Sequence, residues 1–141
     1  MAVILIVEDD TQVRVLAESY LQEQGHRTLS AASVEEALAV LEGAENIDLL
    51  FTNIELQDDA QAGLKLAKQA VEREPDLGVL YTSGHAATDG MNALFVDNSA
   101  FLPKPYTVDQ LQTILSVTFC IRPYPVPPPT DGAPPELSSG A

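Results

Sequence analysis

The chain has 141 residues, 45% of them hydrophobic, and carries 21 acidic against 7 basic side chains, a formal charge of −14. That length bounds it to one domain with a tail, large enough to bury a core. The charge argues against unaided nucleic-acid binding, which needs clustered lysine and arginine. No apolar run approaches the roughly 18 to 20 residues that cross a bilayer, and the lone cysteine, Cys120, gives neither a disulfide framework nor a metal cluster.

The acidity reads first as solubility and second as steering toward a basic partner surface. A reducing cytoplasm suits a single free thiol. The opening Met-Ala-Val-Ile-Leu-Ile has no basic leader ahead of its apolar residues and reads as a strand.

Strand and helix patterns alternate from there. Residues 2–7 form a near-continuous apolar run, as expected of a strand covered on both faces. Val13, Leu16, Ala17, Tyr20 and Leu21 recur at helical spacing over about 11–24, and Gly25 stops them. A more polar strand over 26–31 belongs at a sheet edge. Ser33 caps the next helix, with Glu36 three residues on in a capping-box arrangement. Val34, Ala37, Leu38 and Leu41 make its apolar face.

The third strand spans 47–52. A loop from Glu55 to Ala62 leads into a helix with Leu64, Leu66, Ala67, Ala70 and Val71, ended near Pro75. The fourth strand covers about 77–82. The helix around 87–96 contains Asp89, Gly90 and Asn92 and should be short or frayed. The fifth strand covers 99–102. Thr107 caps a last helix whose face is Val108, Leu111, Ile114, Leu115, Val117 and Phe119.

Five such units predict an α/β fold, a doubly wound parallel sheet with helices on both faces and right-handed crossovers. Residues 1–121 make this domain. The tail, 122–141, holds seven of the ten prolines and should be extended or disordered. Its Pro125-Val126-Pro127-Pro128 fits a PxxP pattern, whose plain reading is a flexible end. The run Phe119-Cys120-Ile121 into prolines also suits docking on another protomer.

In open parallel sheets the working groups lie beyond the carboxyl ends of the strands. That rule gathers Glu8, Asp9, Asn53, Thr82 and Lys104 into one place. Acids, a hydroxyl and a lysine at successive strand ends suit Mg²⁺ and a phosphoryl group, yet the central residue is an amide and a poor nucleophile. Each residue alone has a plain explanation: an acidic N-cap at Glu8 to Asp10, a turn at Thr82-Ser83-Gly84, a solvated charge at Lys104. Together, at matching strand ends, they need chance four times over. His26 and His85 have no partners at ligand spacing and read as structural or incidental. Tyr20 and Tyr106 read as packing.

Four segments carry a resemblance to the receiver domain of two-component response regulators: Val7-Glu8-Asp9-Asp10, Thr52-Asn53-Ile54, Thr82-Ser83 and Phe101-Leu102-Pro103-Lys104-Pro105. It covers residues 1–119. The resemblance implies the flavodoxin-like strand order 2-1-3-4-5. It implies that Glu8, Asp9, position 53 and the backbone carbonyl of Glu55 hold Mg²⁺, and that Lys104 and Thr82 contact the phosphoryl group. It implies a switch between Thr82 and Phe101, a cis peptide bond before Pro105, and a partner that is a sensor histidine kinase or histidine phosphotransfer protein. The family's signalling and homodimer face would include Met91, Leu94, Phe101 and Tyr106.

Asn53 departs from the pattern, which has a phosphoaccepting aspartate there. An amide forms no stable acyl phosphate by the usual route, and the loss of a carboxylate weakens Mg²⁺ binding. Gln57 also departs, where proline is common, which would loosen the loop through Ala62. The expectation is therefore a single-domain, cytoplasmic, non-enzymatic receiver without a DNA-binding effector, signalling through protein contacts and not accepting phosphate. It is either an inactivated phosphorelay member or a natural phosphate-independent receiver. Rival readings are a constitutive interaction module, a metal-dependent phosphohydrolase and a flavin-binding module. The hydrolase would want two aspartates one residue apart, which Asn53-Ile54-Glu55 does not supply. Three acids after the first strand would repel a flavin phosphate.

Overall fold

The structure is a computed structural model that describes residues 2–43, 46–85 and 88–121. The chain runs β1 (Val3–Val7), α1 (Thr11–Glu23), β2 (Arg27–Ala31), α2 (Val34–Gly43), β3 (Leu49–Asn53), α3 (Ala62–Arg73), β4 (Gly78–Ser83), α4 (Asp89–Asn92), β5 (Ser99–Pro103) and α5 (Val108–Phe119). The five strands are all parallel, in the order β2-β1-β3-β4-β5. This is the doubly wound arrangement expected, with polar β2 at an edge. The tail over 122–141 lies outside the described residues.

Period-two alternation divides the core between the two faces of the sheet. Ile4, Ile6, Leu49, Phe51, Leu80 and Leu102 pack with Ala17 and Leu21 of α1 and with Leu111 and Leu115 of α5. Leu5, Val7, Leu50, Val79 and Tyr81 pack the other way, with Ala37 of α2 and Leu66, Ala67 and Ala70 of α3. β3 and β4 are buried along their whole length. This is why their sequences run apolar without a polar face.

The helix boundaries have local causes. Asp10 Oδ1 accepts from the amides of Gln12 and Val13 and caps α1, and Gly25, at φ 88°, turns the chain into β2. Thr107 and Gln110 form a reciprocal capping box on α5. At α2 the Glu36 amide donates to Ser33 Oγ, but the Glu36 carboxylate reaches one residue further back, to the Ala32 amide. α4 is a single short turn, capped by Thr88.

Three expected core positions face outward instead. Leu16 is 71% exposed on α1, and Val108 and Val117 are 51% and 76% exposed on α5. A periodicity reading assigns a broad apolar stripe, whereas the sheet covers only the arc centred on Ala17–Leu21 and Leu111–Leu115. The loop after β3 is also tighter than the absence of proline at Gln57 implied. Gln57 adopts φ 56°, its amide donates to Asp9 Oδ2 at 2.9 Å, and Leu56 and Asp59 pair across the turn.

Two features of this frame are directly testable. A Cβ on Gly63 would fall 2.1 Å from the Asn53 carbonyl oxygen and 2.8 Å from Ile54 Cα, both backbone atoms. Gly63→Ala is therefore expected to cost about 1–3 kcal/mol of stability, read from the urea midpoint, because backbone cannot yield as a side chain would. His26 is buried near the amino-terminal end of β1, where its Nδ1 accepts the Ala2 amide proton. Burial holds its pKa below the ordinary 6.5. The unfolded chain then binds the proton first, so this contribution is present above pH about 6.5 and is lost as the pH falls through the lowered folded value. Urea midpoints should fall over that window, and His26→Gln should flatten that part of the profile.

Candidate functional site

The alternation that fills the core also aims the polar ends of four strands to one side. Glu8 continues the parity of Ile4 and Ile6, Asn53 that of Leu49 and Phe51, Thr82 that of Leu80, and Lys104 that of Leu102. The ladder runs on past the strand ends: the Glu8 amide donates to the Ala31 carbonyl, and the Lys104 amide donates to that of Ser83. Asn53 and Thr82 are paired in register on adjacent strands. Glu8, Asn53, Thr82 and Lys104 thus meet at the carboxyl edge, on the face covered by α1 and α5.

Glu8 is the hub. Its carboxylate is buried; Oε1 accepts from Lys104 Nζ at 2.5 Å, and Oε2 accepts from Asn53 Nδ2 at 3.3 Å and from the Asp10 amide at 3.2 Å. Arg14 donates to the Glu8 carbonyl at 2.8 Å. Burial pushes the Glu8 pKa up, against the lowering pull of Lys104 and the Asp10 amide. Asp9, on the exposed side, is raised by desolvation but held below the ordinary carboxylate value by the Gln57 amide and by Glu8.

Asn53 and Thr82 each keep one unsatisfied atom. Among the described residues Asn53 Oδ1 and Thr82 Oγ1 are buried without a hydrogen-bond partner, in residues only 6% and 3% exposed. Buried polar atoms seldom stay unpaired. A cavity of about 10 Å³ is lined by Thr82 with Glu8, Arg14 and Tyr106, at the lower limit of room for one water.

Glu55 turns its side chain away from this cluster, and both its oxygens accept from Ser83 Oγ at 2.8 Å. The resemblance gives a metal role only to its backbone carbonyl. The Lys104–Pro105 bond is cis. Phe101 lies on the opposite face from Thr82, partly buried, stacked on Phe95 at 6.2 Å, which stacks in turn on Tyr81 at 4.4 Å.

Three contributors were not legible as site residues. Gln57 fixes Asp9 through its main chain, and Ser83 fixes Glu55. Tyr106 packs on Phe51 at 5.9 Å, and its phenol is pushed up to about 12 by burial and by the charge of Glu8. A residue that acts through its backbone amide leaves no side-chain signature. Tyr106 is an aromatic between Pro105 and Thr107 in the sequence, which alone says only that it packs.

The donor set suits Mg²⁺ in kind: the carboxylates of Glu8 and Asp9, an orphaned amide oxygen and a backbone carbonyl are all hard oxygens. It is poorer in charge. Among the described residues no three His, Cys, Asp or Glu gather to hold a metal, and the oxygen that Asn53 offers is uncharged.

Residues 4–116 match the family described as the response regulator receiver domain. The sensor kinase CckA of Brucella abortus is 32% identical over 115 residues, covering 79% of this chain and 12% of the kinase. A response regulator receiver protein from Sinorhizobium medicae shares the fold with a TM-score of 0.75 at 29% identity, covering 84% of this chain and 94% of that one. TrrA from Thermotoga maritima, solved in complex with Mg²⁺-BeF, has a TM-score of 0.70 at 24% identity over 82% of this chain and 97% of its own. The chain spans only 12% to 26% of the length of curated relatives such as CckA and PilR of Pseudomonas aeruginosa.

The hub makes a prediction of its own. In Asn53→Asp a carboxylate replaces the amide donor 3.3 Å from Glu8 Oε2. Without metal the variant should be about 1–3 kcal/mol less stable, from a lost donor and two facing like charges. Added Mg²⁺ should raise its melting temperature more than that of the parent chain. Equal responses of the two to Mg²⁺ would show that position 53 does not face the metal.

Proposed function

We propose that this chain, which belongs to the response regulator receiver domain family, works as a receiver whose site is compensated without phosphate and whose output is a protein contact. The observation that carries the reading is the Lys104–Glu8–Asn53 arrangement. In a phosphoaccepting receiver, position 53 would present a carboxylate to attack the phosphoryl group. Here the side chain presents an N–H to Glu8, and Lys104, the fixed cation that would meet phosphoryl oxygens, is already engaged.

When bound, Mg²⁺ would supply charge neutralisation between acidic oxygens and an incoming phosphoryl group. Glu8, Asp9, Asn53 through Oδ1 and the Glu55 carbonyl would hold it, more weakly than a site with one more carboxylate. Lys104 would have to leave Glu8 to contact an anion. Thr82 Oγ1, unpaired, is the free hydroxyl at the same edge. None of these groups replaces the missing nucleophile.

The partner on this reading is a histidine kinase or a histidine phosphotransfer protein, bound without phosphoryl transfer. Between copies, the surface of α4, β5 and α5, with Met91, Leu94, Phe101 and Tyr106, is the face proposed for signalling and homodimer contact. The acidic balance of the chain favours a basic partner surface.

Intact-mass spectrometry of the full chain and of Asn53→Asp, each with Mg²⁺ and acetyl phosphate, tests the reading. The expected outcome is a single phosphate adduct on the aspartate variant and none on the parent. An adduct on the parent would overturn the reading. No adduct on either would point to a binding module unrelated to phosphate.

A further inference from the structure

Asp9 is an exposed carboxylate, and a side chain free to rotate must be fixed before it can hold an ion, which costs entropy. In this chain it is already fixed. Its Oδ2 accepts from the Gln57 amide at 2.9 Å, a contact across 48 positions of sequence. The Asp9 carboxylate also lies within hydrogen-bonding reach of that of Glu8, which is itself held by Lys104, Asn53 and the Asp10 amide.

The donor is placed by a tight turn. Leu56 and Asp59 pair as an isolated antiparallel bridge and exchange both backbone hydrogen bonds at 3.1 Å. Only Gln57 and Asp58 lie between them. Two-residue connections of this kind favour a positive φ at the first central residue, and Gln57 has φ 56°. Because the bridge uses the N–H groups of Leu56 and Asp59, that of Gln57 is left for Asp9.

The turn is anchored on both sides. Asp59 Oδ1 accepts from the Gln61 amide at 2.9 Å and its Oδ2 from Lys65 Nζ at 3.2 Å, which fastens the turn to the start of α3. On the other side the Glu55 carboxylate accepts from Ser83 Oγ at 2.8 Å, which fastens it to β4. Glutamine has no special tolerance of the left-handed region, so these anchors keep the turn, and the turn keeps the amide on Asp9.

We propose that the Gln57 backbone N–H is a positioning group for a divalent cation: it holds Asp9 Oδ2, fixes that carboxylate beside Glu8, and offsets part of the affinity lost with the charge at position 53. The inference rests on the reading above that Glu8 and Asp9 belong to the donor set for Mg²⁺. A ligating carboxylate is ordinarily hydrogen-bonded from behind, and loss of such a partner typically lowers metal affinity about 10–100-fold. Here the partner is main chain, so only a change that removes the N–H or the turn removes it. Proline does both, having no N–H and a φ locked near −65°. Asparagine keeps the N–H and accepts a positive φ.

The test is a Mg²⁺ titration of the full chain, of Gln57→Asn and of Gln57→Pro, followed by heteronuclear NMR at the amides of Glu8 and Asp9. Amide exchange at Gln57 is followed in the parent chain alongside. Parent and Gln57→Asn should bind alike, and Gln57→Pro about tenfold more weakly. The Gln57 amide should remain protected from exchange when Mg²⁺ is bound. Affinity in Gln57→Pro equal to the parent's would overturn the proposal. Faster exchange at Gln57 as Mg²⁺ binds would also overturn it, by showing that the amide competes with the metal; this measurement decides even where the proline variant does not fold. No Mg²⁺-dependent shift at Glu8 or Asp9 in any of the three would overturn the donor set itself, and the inference with it.

Discussion

Lys104 and Glu8 are 96 positions apart in sequence and share one proton-bearing contact at the carboxyl edge of the sheet. The rest of the site is arranged around that pair. Burying Glu8 is unfavourable unless a cation and donors meet it, and removal of one partner of such a pair typically costs about 3–5 kcal/mol. Lys104 reaches it only because β5 sits at the far edge of a parallel sheet whose parity sends residue 104 to the α1/α5 side. Asn53 completes the shell with an N–H. An aspartate there would add a negative charge beside a carboxylate already raised by burial. The amide thus adds a donor, rather than a further charge, to the shell around Glu8.

The sheet connects this edge to its other face. Thr82 and Tyr81 are consecutive on β4, so their side chains point to opposite sides. Thr82 lies beside Asn53 with an unpaired hydroxyl, while Tyr81 anchors the aromatic stack through Phe95 to Phe101. The Val96 amide donates to the Tyr81 hydroxyl, which ties the segment after α4 to the same strand. A change in what Thr82 bonds has a short mechanical route to that surface. α4, a single turn, resists such a change less than a long helix would.

Much of this was readable in the residues. The alternation of buried strands with helices, the caps at Asp10 and Thr107, and the edge position of the polar β2 follow from period, propensity and capping chemistry. The cluster of Glu8, Asn53, Thr82 and Lys104 follows from strand ends in a parallel sheet. What was not readable was of two kinds. Leu16, Val108 and Val117 share the apolar period of core residues, and only the width of the covering sheet decides that they stay outside. Gln57 and Gly63 act through backbone geometry, one by a positive φ and an amide aimed at Asp9, the other by leaving room for the Asn53 carbonyl. Composition cannot distinguish such positions from ordinary loop and helix residues.

A receiver that takes a phosphoryl group is shifted between states by a covalent change in charge. On the reading proposed for this chain that input is missing, and a shift can come only from a ligand that binds one state better than the other. A groove between α1 and α5 is suited to that part because it borders Lys104, Pro105 and Tyr106, and Tyr106 packs on Phe51 beside Glu8. An occupant that moves Tyr106 changes the desolvation of Glu8, and with it the hold of Lys104 and Asn53. The balance between states is then set by the difference between that occupant's affinities for the two states, a quantity that needs neither phosphate nor a nucleophile.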